Sequence, residues 1–266
     1  MSNPNPMFLE KPLSLAHARS LFAASDPKKL ALLAPLLPHD YGVVKDEFIE
    51  LNAAYWTVPV TAGGGPTAFV LDATVRGSSL VGDTGATDDD VIAIHAKNAS
   101  LNSADNPWFF LQWKVDIVTS FSFEIGLSDP KTSEVLPAVT DIDTPAVGNG
   151  VTDVVCIHMD TDQTLTTAEL IGDGTTGAVT ASTGPSLATA AYTPTAAAWQ
   201  TMLIGVRENL GYCSIWDGDA FIGHFSVGNG PDADILLAPY AMFRTRDTNA
   251  DTVTLRKFEY GWEQNG

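Results

Sequence analysis

An all-β sandwich preceded by a short helical, Pro-rich arm is the fold class this sequence predicts. Three observations carry it. Short β-rich runs recur from about residue 43 to the end, broken by Gly, Asp, Asn and Pro clusters, as in a sandwich or barrel. In the clearest of these runs apolar residues alternate with polar ones at period two. The step Asp217-Gly218 lies between two such runs, Ser214-Ile215-Trp216 and Ala220-Phe221-Ile222, and suits a tight hairpin turn.

Taken in order, residues 1–45 read as an arm. Prolines 4, 6, 12, 27, 35 and 38 punctuate it. Ser14 is a helix cap for a stretch whose Leu15, Ala18, Leu21 and Phe22 recur three and four apart on one face. Asp26-Pro27 opens a second short helix carrying Leu30 and Leu33, which Pro35 and Pro38 end. Two short helices cannot bury their apolar faces alone, so Leu15, Leu21, Phe22, Leu30 and Leu33 are the expected contacts to the body or to a partner.

Residues 46–266 read as the sandwich. Predicted strands cover 48–51, 55–60, 67–75, 90–96, 108–118, 120–127 and 153–159, with a Gly-rich turn at 61–66. They resume at 199–206, 211–216, 220–227, 235–244 and 252–262. From Leu111 to Ile117, and again in Phe121, Phe123, Ile125 and Leu127, the apolar residues fall on odd positions, so one face is core and the other wet. The Thr/Ala/Gly/Ser-rich stretch 172–195 reads as a long loop anchored by Val179 and Tyr192.

Charge and composition narrow the function. The 266 residues are 45% hydrophobic and 17% charged, the balance of a chain that buries a proper core. The net charge is −18, and the arm contributes none of it, with five basic groups against three acidic. A body this acidic repels phosphates, so nucleic acid and anionic membranes are not expected partners. Cys156 and Cys213 each sit in an apolar run and read as small buried thiols. No segment has the pattern of a secretory signal or the ~20 apolar residues of a membrane-spanning helix. The expectation is a protein made in a host cytoplasm.

The order of segments resembles a known family. An aromatic strand, Trp108 to Ile117, is followed by a Phe-rich strand ending in Gly126-Leu127-Ser128-Asp129, then by Val154-Val155-Cys156-Ile157-His158-Met159-Asp160-Thr161-Asp162. Trp199-Gln200-Thr201-Met202-Leu203-Ile204-Gly205-Val206, the Asp-Gly hairpin with Phe221-Ile222-Gly223, and a closing Leu255-Arg256-Lys257-Phe258-Glu259-Tyr260-Gly261 complete the series. This succession resembles the concanavalin A-like (laminin-G-like) jelly-roll domain of tailed-phage virion structural proteins. The resemblance covers about residues 46–266. It implies a non-enzymatic virion protein: a capsid decoration (cement) protein on the exterior of the particle, bound to the major capsid protein or other virion proteins, and open to homo-oligomerisation. The alternative it leaves is a tail- or head-fibre or lectin-like module that binds host glycan.

Candidate chemistry is sparse. On a strand, His158, Asp160 and Asp162 share one face, a metal-site geometry whose bland counterpart is an acidic turn. Asp88-Asp89-Asp90 offers carboxylates for calcium, but has no closing Glu at EF-hand spacing, so Asp88 and Asp90 are weak ligand candidates and no cofactor is required. Glu124 is a candidate glycosidase carboxylate. The related glycosidases, however, carry a Glu-x-Asp-x-x-Glu strand that is absent here. No Gly-x-Ser-x-Gly elbow and no Gly-rich phosphate loop with Lys-Ser/Thr occurs, so no catalytic residue is assigned. Of the six tryptophans, Trp216 beside the Asp217-Gly218 turn is the candidate for stacking on a sugar in the glycan-binding alternative.

Overall fold

The computed structural model describes residues 41–46, 53, 55–61, 65–72, 79–97, 101–141, 146–163, 167–173, 192–208 and 210–263. The five arm residues expected to contact a partner, Leu15, Leu21, Phe22, Leu30 and Leu33, lie outside them, as does Val179.

Two antiparallel sheets face each other. The first runs β15 (Ala220–Val227), β14 (Leu210–Asp217), β13 (Gln200–Arg207), β7 (Trp108–Val115), β17 (Thr252–Glu263), β4 (Leu80–Asp83), β3 (Thr67–Leu71). Its eighth strand, β1 (Tyr41–Asp46), pairs with the far half of β17, Tyr41 opposite Glu263. The second runs β12 (Glu169–Asp173), β11 (Val154–Asp160), β8 (Phe121–Ser128), β16 (Leu236–Thr245), β5 (Val91–Ala96), β2 (Trp56–Thr57), with β6 (Leu101–Asn102) on the start of β16. A two-stranded ribbon, β9 (Val139–Asp141) and β10 (Ala146–Val147), stands apart.

The core follows from the alternation. Phe109, Leu111, Trp113 and Val115 of β7 meet Phe121, Phe123, Ile125 and Leu127 of β8 across the gap, in one buried cluster with β11, β13, β16 and β17. The Trp113 ring lies 5.0 Å from Phe123 and 5.2 Å from Phe243, at tilted angles that aromatic pairs favour. A bulge between Leu255 and Lys257 shifts the parity of β17, so Val253 and Leu255 but then Phe258 and Tyr260 face inward. The Asp-Gly hairpin forms as expected, with Gly218 at φ +57.

Several boundaries differ from the sequence reading. Residues 41–46, assigned to the arm, form a sheet strand, because their backbone completes the ladder that β17 extends beyond β4. Ile117, expected on the core face, is exposed beyond the end of β7. Within the run 67–75, β3 ends at Leu71, and residues 73–75 lie outside those described, as does the predicted strand 48–51. The strands β4, β6, β9, β10 and β12 were not anticipated. Segments such as Leu-Val-Gly-Asp and Glu-Leu-Ile-Gly-Asp are too short, and too interrupted by Gly and Asp, to show a period. Tyr192 is an anchor: its hydroxyl donates to Gln200 Oε1 at 2.5 Å from a buried position.

Candidate functional site

Strand register gathers dispersed loops at one pole of the sandwich. Asp83 pairs with Thr252, Val115 with Val253, Phe121 with Thr245, Asp160 with Ser122, and Gln200 with Asp217. The turns after β4, β7, β11 and β16 and the β14–β15 hairpin therefore share this end. Asp88, Asp90, Asp160, Asp162 and Trp216, separated by up to 128 residues in sequence, all belong to it.

Once there, they are differently engaged. Asp160 is 2% exposed and is clasped by two guanidinium groups. Arg244 Nη2 donates to Oδ2 at 2.8 Å, Arg246 Nε donates to Oδ1 at 2.8 Å, and Arg246 Nη2 also binds Oδ2. Burial alone would raise the pKa of Asp160, but the hydrogen bond from Arg246 and the charges of both arginines outweigh it and hold the carboxyl below its ordinary range. A metal here would have to displace two guanidinium groups, so the structure corrects the reading of Asp160 as a ligand. Asp162 is half exposed and 3.9 Å from Arg246 Nε. Asp90 closes its own loop, accepting from Thr61 Oγ1 at 3.1 Å and from the Thr87 amide at 3.2 Å, while Asp88 is exposed. Among the described residues, no three His, Cys, Asp or Glu side chains converge closely enough to hold a metal by themselves.

Trp216 is 3% exposed, so its ring offers no free face for a sugar. Its neighbour Phe221, with ring centroid 5.3 Å away, is 53% exposed and is the aromatic this hairpin presents.

The second polar centre lies on the outer face of the seven-stranded sheet. Glu124 alternates with the core phenylalanines of β8 and so points away from them. It is not solvated there. The segment between β8 and β11 folds over this face, packing Ala138, Val139 and Val151 on Val154, Cys156, Ile171 and Tyr240. Glu124 is fully buried and accepts five hydrogen bonds. Lys131 Nζ (3.2 Å), the Ala138 amide (2.7 Å) and the Tyr240 hydroxyl (2.7 Å) reach Oε1. The Val139 amide (2.8 Å) and His158 Nδ1 (3.1 Å) reach Oε2. Burial pushes the pKa of Glu124 up, but the Lys131 ammonium and His158 together drive it well below the usual carboxylate range. Burial, then the Lys131 charge, lowers His95 to about 3, so its ring is neutral and its Nε2–H donates to the Glu134 carbonyl at 2.9 Å. The knot straps the covering segment to the sheet. It was hidden from sequence because Lys131, His95 and Tyr240 come from three distant segments.

A third buried acid was missed altogether. Asp251, at the pole, is 2% exposed, and its Oδ2 has no hydrogen-bond partner. Its sequence context, Thr-Asn-Ala-Asp, is that of an ordinary turn.

No family model matches the sequence, and no curated protein matches it. Solved structures do resemble the fold. A Shewanella oneidensis MR-1 protein of unknown function, SO2946, superposes with TM-score 0.55 at 9% identity, covering 90% of this chain and 95% of that one. The potassium-bound carbohydrate recognition domain of Emp46p gives TM-score 0.52 at 8% identity, covering 81% and 94%. The Ca2+/Man3GlcNAc-bound exoplasmic/lumenal domain of VIP36 gives 0.51 at 6% identity, covering 83% and 88%. Identities this low establish the fold and nothing finer. By strand order, sheet packing and these likenesses, the chain is a concanavalin A-like jelly-roll β-sandwich of the kind lectin domains use.

Proposed function

We propose that this protein is a non-enzymatic structural component of a phage virion, a decoration protein that docks on the capsid lattice and stabilises it. The observation that supports the non-enzymatic part is the state of Glu124. A general acid must be reachable and must titrate near the working pH. This carboxylate is sealed under the segment between β8 and β11 and held as a permanent anion by its five donors. The virion part rests on the sequence resemblance alone; the segments that carry it form β7, β8, β11, β13, the β14–β15 hairpin and β17, which supports the fold.

On this reading, residues 1–40 dock on the major capsid protein and the acidic sandwich faces outward. Co-sedimentation with undecorated capsids tests it, using the full chain beside one lacking residues 1–40. Saturable binding by the full chain that the shortened chain loses is the expected result. Equal binding by both would overturn docking through the arm, and binding by neither would overturn the capsid role.

A second reading, a glycan-binding module, is favoured by the likeness of fold to the Emp46p and VIP36 domains. Exposed Phe221, rather than Trp216, then becomes the stacking residue. Retention on a glycan array that Phe221→Ala weakens would support it, and no retention on any host glycan would remove it.

A further inference from the structure

The cations of this chain are few, and the fold does not scatter them. Residues 46–266 hold nine basic groups against 29 acidic. Three of the nine, Lys131, Arg244 and Arg246, are tied to the buried carboxylates of Glu124 and Asp160. Three more, Lys114, Arg256 and Lys257, gather on the outer face of the eight-stranded sheet. The bulge in β17 brings them together. Leu255 and Phe258 both point into the core, so the two residues between them, Arg256 and Lys257, stand together on the outside. A regular strand would place only one of them there. Lys114 of β7, opposite Thr254, joins them.

The Lys114 ammonium lies 5.1 Å, and the Arg256 guanidinium 5.8 Å, from the centre of the Trp199 ring, so one partly exposed indole positions two cations. Among the described residues, no carboxylate forms an ion pair with any of the three. The acids nearest to them along β4, β7 and β17 are otherwise engaged. Asp83 accepts from the Thr252 hydroxyl at 2.9 Å, Asp116 accepts from the Thr252 amide at 2.8 Å, and Glu259 is buried. The surface continues across the sheet as a row fixed by register. Lys114 faces Thr254, Thr254 faces Val81, and Val81 faces Val70, which is 50% exposed on the edge strand β3. From Trp199 to Val70 the row takes four strand-to-strand steps, about 19 Å. Cations stand at one end and aliphatic side chains at the other.

From the unpaired Lys114, Arg256 and Lys257 beside Trp199, and the aliphatic row that continues to Val70, we propose that this face docks an acidic segment of a partner protein in which apolar residues accompany the carboxylates. The carboxylates meet the three cations, where the Arg256 guanidinium offers a two-pronged match. The apolar side chains cover Val81 and Val70. Three cations do not hold a nucleic acid against a body with this surplus of acids, but they suffice for a short run of carboxylates. Because the attraction is electrostatic and the cations face solvent, added salt weakens it. The proposal holds whether the protein belongs to a capsid or binds a glycan.

Fluorescence anisotropy of the full chain with a labelled peptide of alternating Glu and Val tests the proposal, beside the same peptide with Gln in place of Glu. One saturable event per chain is expected for the Glu peptide, weakening as salt is raised, and none for the Gln peptide. Arg256→Glu, at an exposed residue with no ion pair to lose, weakens binding about tenfold or more and leaves the thermal midpoint in place. Arg207→Glu, at an exposed cation of the opposite pole, changes the net charge equally and leaves the affinity intact. Absence of saturable binding by the Glu peptide, or equal affinity in wild type and Arg256→Glu, would overturn the proposal. Equal loss in both charge variants would sink it too, since overall charge would then govern. Equally tight binding of polygalacturonate, weakened by the same Arg256→Glu change, would overturn the assignment to a protein segment, since apolar side chains would then contribute nothing.

Discussion

Replacing Glu124 by Gln tests whether the buried knot holds the segment between β8 and β11 in place. The substitution keeps the shape and one acceptor oxygen. If that oxygen stays with Lys131, Ala138 and Tyr240, the new amide group faces the Val139 N–H at 2.8 Å and His158 Nδ1 at 3.1 Å. His158 can change tautomer and accept, but Val139 cannot, so one buried N–H loses its partner at a cost of about 1–3 kcal/mol. Lys131, whose side chain is almost fully buried, also loses its counter-charge. Breaking such a pair from one side costs roughly 3–5 kcal/mol in all. At about 2–4 °C per kcal/mol for a chain near this size, the midpoint falls on the order of 10 °C. Urea unfolding at pH 7 reads the loss directly. The double change Glu124→Gln/Lys131→Met should recover part of it, because the stranded ammonium is gone. The sign with pH follows from the depressed carboxyl. Glu124 contributes stability that is present above the ordinary carboxylate pKa of about 4.3 and lost as pH falls toward its native value, a component Glu124→Gln lacks. A loss below about 1 kcal/mol for Glu124→Gln would refute the account of the knot as a strap, because a buried ion pair broken from one side costs several times that.

Three further outcomes are expected. Asp251, its pKa raised mainly by burial and then by the charge of Asp116, keeps its proton to about pH 7 when native and loses it near the ordinary value of 3.8 when unfolded. Its contribution is therefore full below pH 4 and gone above 7, and Asp251→Asn should match wild type at pH 4 but exceed it at pH 8 by about 2–4 kcal/mol in urea titrations. Asp160→Asn weakens the clasp on Arg244 and Arg246 and should cost about 2–4 kcal/mol, as urea unfolding would read. Gly126→Ala places a Cβ 2.2 Å from the Val155 carbonyl oxygen and 2.5 Å from Cys156 Cβ, so β8 and β11 must separate. Thermal unfolding should report a loss of roughly 1–3 kcal/mol.

The sandwich also shows how an acidic chain stabilises charge in its interior. At Asp160 the positive charge comes from β16 and the residue that follows it, two positions apart along an extended chain. At Glu124 it comes from Lys131, whose ammonium also lies 3.5 Å from the centre of the Tyr240 ring. Both sites are compact, and each anion is met by several donors, the condition under which a buried charge is tolerated.

What the sequence determined by itself was local. Period-two alternation in Trp108–Val115 and Phe121–Ser128 set the inward faces of β7 and β8, since adjacent side chains of a strand must point to opposite sides. Asp217-Gly218 set the hairpin, because glycine meets a positive φ without steric cost. Only the tertiary structure decided which polar residues meet. Glu124 and Tyr240 are 116 residues apart, and Asp160 and Arg246 are 86 apart. No local pattern encodes such pairings; strand order and register do. The same physics made Asp160, in the sequence a weak candidate for a metal ligand, half of an ion pair and buried Trp216. It left Asp251, unremarkable in its turn, with one buried carboxylate oxygen that meets no donor.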